Sequence, residues 1–131
     1  MMLCKRTDFS PLALAYLGDA YYETIVREYL VTENNVSISE LNRLAKSFVT
    51  AGAQAKIARR MLPLLTESEV KVFKSGRNAK NTRHAPGASA IDYRIATGLE
   101  ALYGYFLLSD LQKRAKELFV SCIQNYEEEK Q

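Results

Sequence analysis

The chain has 131 residues, 47% of them apolar and 25% charged, with a formal net charge of +3. That is enough for one domain with its own core and too little for two, and no apolar run approaches the roughly 20 residues of a membrane span. One histidine, His84, and two cysteines, Cys4 and Cys122, at no metal or redox spacing nearly exclude a histidine-based triad or a zinc site.

The N-terminal MMLCKRTDFSP has no apolar stretch of the signal-peptide kind, so a cytoplasmic protein with both thiols reduced is expected. Ser10-Pro11 reads as an N-cap followed by a proline in the first helical position, opening a helix to about Val31. TENNVS is a turn. Ser37 and Glu40 form a capping box ahead of LNRLAKSFV, in which Leu41, Leu44, Ala45 and Phe48 recur at helical spacing. Gly52 is expected to break or bend the chain before AQAKIARRML, and Pro63 to end that segment. A second capping box, Thr66 with Glu69, opens SEVKVFKSGRNAK. NTRHAPGAS, residues 81 to 89, reads as the one substantial loop, and Ser89 can cap the helix AIDYRIATGLEALYGYFLL. A last helix is expected from about Asp110 to Tyr126, with NYEEEK as its solvated end. No segment alternates apolar and polar residues as a strand does. The expectation is therefore a single all-α domain of about six helices over residues 1–131, with its core between about residues 10 and 126.

Two of these helices carry a carboxylate inside an otherwise apolar stretch: Asp19 in LALAYLGDAYYE and Glu100 in ATGLEALYGYFLL. A carboxylate is costly to bury without a partner. Either each acid sits at the edge of an apolar stripe or beside an arginine, or the two helices cross at an axial distance of roughly 8–10 Å and bring both acids to one point. In the second arrangement like charges repel unless a cation lies between them, and an oxygen-bound divalent ion, usually Mg²⁺ where phosphates are handled, resolves that. Glu23, four residues after Asp19 on the same face, is either a further ligand or the ion-pair partner of Arg27. Gly18, Gly98 and Gly104, close to the two acids, suit close approach of another backbone or of substrate, or simple helix packing.

Charge is unevenly spread. Between residues 71 and 94 stand Lys71, Lys74, Arg77, Lys80, Arg83 and Arg94 against Asp92 alone, which leaves the rest of the chain slightly acidic. Lys74, Arg77 and Lys80 are three residues apart, roughly on one helical face, Asn78 adds a neutral donor, and Gly76 could break the helix and turn the following amides outward. Tyr93 and Arg94 stand near the start of the helix that carries Glu100, a good place for a phosphate. A solvated charged face is the plain alternative. The basic block, however, leads directly into the Glu100 helix, so phosphate contacts and a metal-ligating acid lie on adjoining chain. That combination points to phosphodiester hydrolysis, and the chain offers no Ser, Cys or His nucleophile with a matched base.

These same stretches carry a resemblance. LAYLGDA resembles the signature segment of the ribonuclease III catalytic domain, and LEALYGYFLL its second acidic helix. LALAYLGDA, GRNAK and YRIATGLEALYGY together are more closely similar to Mini-III ribonucleases, short bacterial relatives that lack the double-stranded RNA-binding domain. The resemblance covers about residues 10 to 126. It implies a homodimeric, Mg²⁺-dependent endonuclease of double-stranded RNA that trims the paired ends of precursor large-subunit (23S) ribosomal RNA, aided by a large-subunit ribosomal protein. By motif position it makes Asp19 the signature aspartate and Glu100 the second-helix glutamate, together the catalytic and metal-holding acids; Glu23 and Thr97 are the local candidates to help them. Lys74, Arg77, Asn78, Lys80, Arg83, Tyr93 and Arg94 are the expected RNA contacts.

Two departures bear on the metal. Ribonuclease III has a glutamate four residues before the signature aspartate and an aspartate three residues before the second glutamate; this chain has Ala15 and Thr97 there, as Mini-III members do. The runner-up reading is a ribonuclease III-like module that binds RNA in ribosome assembly without cutting it, which would leave two acids held against an anionic ligand for no purpose.

Overall fold

The computed structural model describes residues 8–80 and 89–130, with side chains to residue 124. Among these it contains six α-helices: α1 (Pro11–Glu33), α2 (Ile38–Val49), α3 (Ala51–Met61), α4 (Glu67–Asn78), α5 (Ala90–Leu108) and α6 (Gln112–Lys130), with a 3₁₀ turn at Leu62–Leu64 and no strand. The all-α expectation holds.

Local capping sets most of the boundaries. The Ser10 hydroxyl accepts the Ala13 N–H at 3.1 Å and Pro11 takes the first helical position. Thr66 and Glu69 make a complete capping box: the Glu69 carboxylate accepts the Thr66 N–H at 2.8 Å and the Thr66 hydroxyl accepts the Glu69 N–H at 3.2 Å. The Ser37 box is only half made. Ser37 accepts the Glu40 N–H at 3.2 Å, but the Glu40 carboxylate is taken by the Arg43 guanidinium on the next turn. A charged fork outcompetes a single backbone amide for one carboxylate.

Four features differ from the sequence expectation. α1 continues two residues past Val31, to Glu33, where the Asn34 N–H closes the helix on the Leu30 carbonyl at 3.0 Å. Gly52 is not a breaker; it lies in the first turn of α3, and the chain bends two residues earlier at Thr50, which ends α2 and caps α3 by accepting the Ala53 N–H at 3.3 Å. Gly76 does not break α4 either. α5 ends in a six-to-one turn: Leu111 N–H donates to the Phe106 carbonyl at 2.8 Å and Asp110 N–H to the Leu107 carbonyl at 3.2 Å, with Asp110 in the left-handed region at φ 59°. α6 therefore begins at Gln112 rather than at Asp110.

α5 is the central element, packed against α1, α3, α4 and α6. Its Leu99, Leu102, Tyr103 and Phe106 meet Tyr22 and Val26 of α1, Ile57 and Met61 of α3, Phe73 of α4 and Phe119 and Ile123 of α6 in one core. Two buried tyrosines satisfy their hydroxyls across element boundaries, Tyr22 donating to the Phe48 carbonyl and Tyr103 to the Ala115 carbonyl, both at 2.8 Å. Glu69, 5% exposed, is also clamped by Arg114 of α6 at 2.8 and 3.1 Å, and that hydrogen-bonded guanidinium holds its carboxyl below the usual range. Cys122 is buried, and burial pushes its thiol up to about 11, so it is an inert core side chain. Cys4, His84 and Arg83 lie outside the described residues.

Candidate active site

Glycine sets the distance between the two acid-bearing helices. A methyl group on Gly18 would stand 1.6 Å from the Glu100 carbonyl oxygen and 2.6 Å from the Gly104 nitrogen; one on Gly104 would stand 2.0 Å from the Leu14 carbonyl oxygen. At this crossing α1 and α5 touch backbone to backbone, and only hydrogen fits. Asp19 is the residue after Gly18, and Glu100 is the residue Gly18 rests on. The crossing therefore brings the two acids together.

Their environments differ. Asp19 is exposed, so its position in an apolar run does not bury it; Glu100 is half-buried. Burial first, and then the negative charge of Asp19 beside it, push the Glu100 carboxyl up to about 8. The Gln54 side chain, 3% exposed on α3, opposes this by hydrogen bonding to the Glu100 carboxylate. Neither acid has an arginine or lysine partner among the described residues, which removes the alternative of an ion pair within the helix.

The remaining candidates near the acids are occupied. Glu23 accepts from Arg27 at 3.0 Å, the pairing foreseen as its alternative role. The Thr97 hydroxyl donates to the Tyr93 carbonyl at 3.0 Å and is buried. Ala15 is buried in the helix contact. No group of three or more His, Cys, Asp or Glu side chains is close enough to hold a metal among the described residues. The site is a pair of acids with one amide behind them. A metal fits that donor set on physical grounds: burial and the neighbouring Asp19 charge disfavour ionisation of Glu100, a bound cation relieves both, and Mg²⁺ commonly takes one or two carboxylates and completes its shell with water and phosphate.

The basic block divides. Gly76 is buried within α4, where a methyl group would stand 2.6 Å from the Ala101 Cβ; Gly98 faces it, and a methyl there would stand 2.8 Å from the Phe73 carbonyl oxygen. These glycines pack α4 against α5 and bring Arg77 and Asn78 to a pocket they share with Arg94. The Arg77 guanidinium donates to the Asn78 side-chain carbonyl at 3.1 Å. Lys74 is exposed on α4, while Lys80 lies beyond the helix end at Asn78 and so leaves the face its spacing suggested. Tyr93 is half-buried in the first turn of α5. The block's one acid, Asp92, is ion-paired with Arg59 of α3 at 3.0 Å, which leaves Arg94 with no carboxylate partner among the described residues.

Sequence reasoning missed Gln54 and Arg59. Gln54 stands alone as an amide in the apolar face of AQAKIA, which was the available signal; nothing in the local pattern links Arg59 to Asp92.

An all-helical domain with two acids at one helix crossing and arginines around a second contact of the same helix has the layout of a nuclease. The Ribonuclease III domain family matches residues 12–111, and the chain belongs to that family. It is similar to the Mini-ribonuclease 3 of Clostridium tetani, 42% identical over 93% of this chain and 82% of that one, and to the Mini-ribonuclease 3 of Enterococcus faecalis, 45% identical over 86% of each. A crystal structure of a Fusobacterium nucleatum protein superposes with a TM-score of 0.80 at 29% identity, covering 92% of this chain and 96% of that one. The chain is thus an endoribonuclease of the ribonuclease III type, and RNA is its substrate.

Proposed function

We propose that this protein is a Mg²⁺-dependent endonuclease of double-stranded RNA that matures the ends of precursor 23S ribosomal RNA in the cytoplasm, acting as a homodimer with help from a large-subunit ribosomal protein. The observation that carries the catalytic part is the facing of Asp19 and Glu100 across a crossing too tight for any side chain but hydrogen. Asp19 and Glu100 hold the metal ion, and Gln54 orients the Glu100 carboxyl. When bound, the ion supplies charge to polarise the scissile phosphate and lowers the pKa of a bound water. Glu23, paired with Arg27, and Thr97 support the site from a distance. Lys74, Arg77, Asn78, Lys80, Arg83, Tyr93 and Arg94 take the phosphates and sugars, which is how an A-form duplex is held.

The surface beside the acids supports a second copy. Leu12 and Tyr16 project from α1 one turn apart, and Tyr16 is 86% exposed just before the Gly18 crossing. Large apolar side chains left in water together mark an association surface. Among the described residues no helix is long and apolar enough to cross a membrane.

The test uses purified protein with structured precursor ribosomal RNA, with Mg²⁺ or with EDTA, beside Asp19→Asn. Cleavage that requires both Mg²⁺ and Asp19 is expected. Hydrolysis surviving EDTA or the substitution overturns the metal assignment, and RNA bound tightly but left intact in every arm would favour the non-cutting module.

A further inference from the structure

The pocket that Arg77 and Arg94 share has a shape that phosphate binding does not require. Its volume is about 280 Å³, and its walls are Leu62, Phe73, Ile91 and Ile95. Backbone contacts to a duplex are made by side chains on an open surface; they need no apolar hollow. No carboxylate lines the space, so its rim is positive. Ile91 is 65% exposed there, a large apolar side chain left in water where charged groups dominate. The volume lies just below the roughly 300–1,000 Å³ of small-molecule sites. That is room for one flat ring rather than for a whole cofactor.

We propose that the pocket between the 3₁₀ turn, α4 and α5 receives the base of a single unpaired nucleotide of the RNA substrate, with Arg77 and Arg94 holding the phosphates on either side. The inference rests on the RNA-cleaving reading above and adds what that reading lacks, a preference for a bulge or an unpaired end over a continuous duplex. The chemistry matches on each side. An unstacked base offers two apolar faces, which Ile91, Ile95 and Leu62 cover over a floor of Phe73, and its polar edge meets the Asn78 side chain. Asn78 holds the Arg77 head at the rim, so its donors are placed before RNA arrives. The Arg59–Asp92 pair removes the one nearby negative charge that would repel a phosphate at Arg94. Arg94 lies six residues before Glu100 on the same helix, roughly 9 Å along its axis, so one rigid element carries both the pocket rim and the acid.

The experiment compares two short RNA duplexes of the same length and sequence, one fully paired and one with a single unpaired nucleotide. Binding is measured in the Asp19→Asn background with Mg²⁺, and cutting of the paired RNA with the native chain. The unpaired nucleotide is expected to tighten binding by about tenfold. Ile91→Asp, at an exposed position that folding tolerates and that a thermal melt verifies, places a carboxylate in the hollow and is expected to bring the ratio of the two affinities close to one. Equal affinities for the native pocket, with both RNAs bound and the paired RNA cut, overturn the pocket assignment and leave the nuclease standing; so does a ratio that Ile91→Asp does not change. RNA neither bound nor cut overturns the reading on which the proposal rests.

Discussion

α5 makes two close contacts, and they differ in kind. Toward α1, at Gly18 and Gly104, backbone meets backbone and two acids are pressed together, one of them half-buried. Toward α4, at Gly76 and Gly98, glycine again permits close packing, but the helix ends beyond it diverge and leave a pocket with arginines at its rim. Like charges are gathered in both places. At the first they are coupled through a desolvated carboxyl; at the second they sit at a rim open to solvent. Charge alone does not make a site with unusual chemistry; charge brought together with burial does.

The comparison breaks most completely at Gly18. Gly18→Ala is expected to cost on the order of 3–5 kcal/mol, because the added methyl meets backbone atoms that cannot rotate away, and the variant should show a collapsed melting temperature or fail to fold. The Gly76→Ala cost should be smaller, because its nearest obstacle is the Ala101 Cβ and not a peptide group. Denaturant titration of both variants checks the order.

The acid pair itself comes next. Glu100→Gln is expected to lower cleavage at least about 100-fold while leaving the metal-free fold intact, read by single-turnover assays beside circular dichroism. Its pH signature has a definite sign. The folded Glu100 carboxyl sits at about 8, above its ordinary 4.5, so the folded state binds the proton more tightly than the unfolded chain. That contribution to stability is fully present below about pH 4.5 and is lost as pH rises through 8, on the order of 5 kcal/mol over the whole range. Melting of the metal-free protein from pH 5 to 9 should show the loss, and Glu100→Gln should flatten it. Mg²⁺ binding should release close to one proton at neutral pH, measurable by calorimetry in buffers of different ionisation enthalpy.

Smaller effects belong to the solvated side. Arg77→Ala or Arg94→Ala should weaken duplex binding several-fold and reduce the slope of log affinity against log salt by about 1 each, with little change in melting temperature. Smallest of all, Asp110→Gly should stabilise by about 0.5 kcal/mol, since glycine adopts the φ of 59° without strain, and a denaturant midpoint checks it.

Much of this was legible in the chain. The caps at Ser10, Thr66 and Ser89, the all-α pattern and the two acids in apolar helices could be read directly, because each depends on residues within about four positions of one another. The glycines were legible as a group but not in their individual roles: Gly52 and Gly76 carry the local signal of a helix breaker, yet both lie inside helices, Gly76 because α5 packs onto it. The half-made box at Ser37 failed for a local reason, since Arg43 competes for Glu40.

The sequence by itself determined which segments are helical, where most of them begin, and that Asp19 and Glu100 interrupt apolar runs. Only the tertiary structure decided that Glu100 and not Asp19 is the desolvated acid, that Gln54 stands behind it, that Arg59 removes the charge of Asp92, and that Arg77 and Arg94 share one pocket. The physical reason is range. Hydrogen bonds at helix ends are settled by near neighbours, whereas desolvation and charge coupling depend on which distant segments the glycine contacts allow to touch.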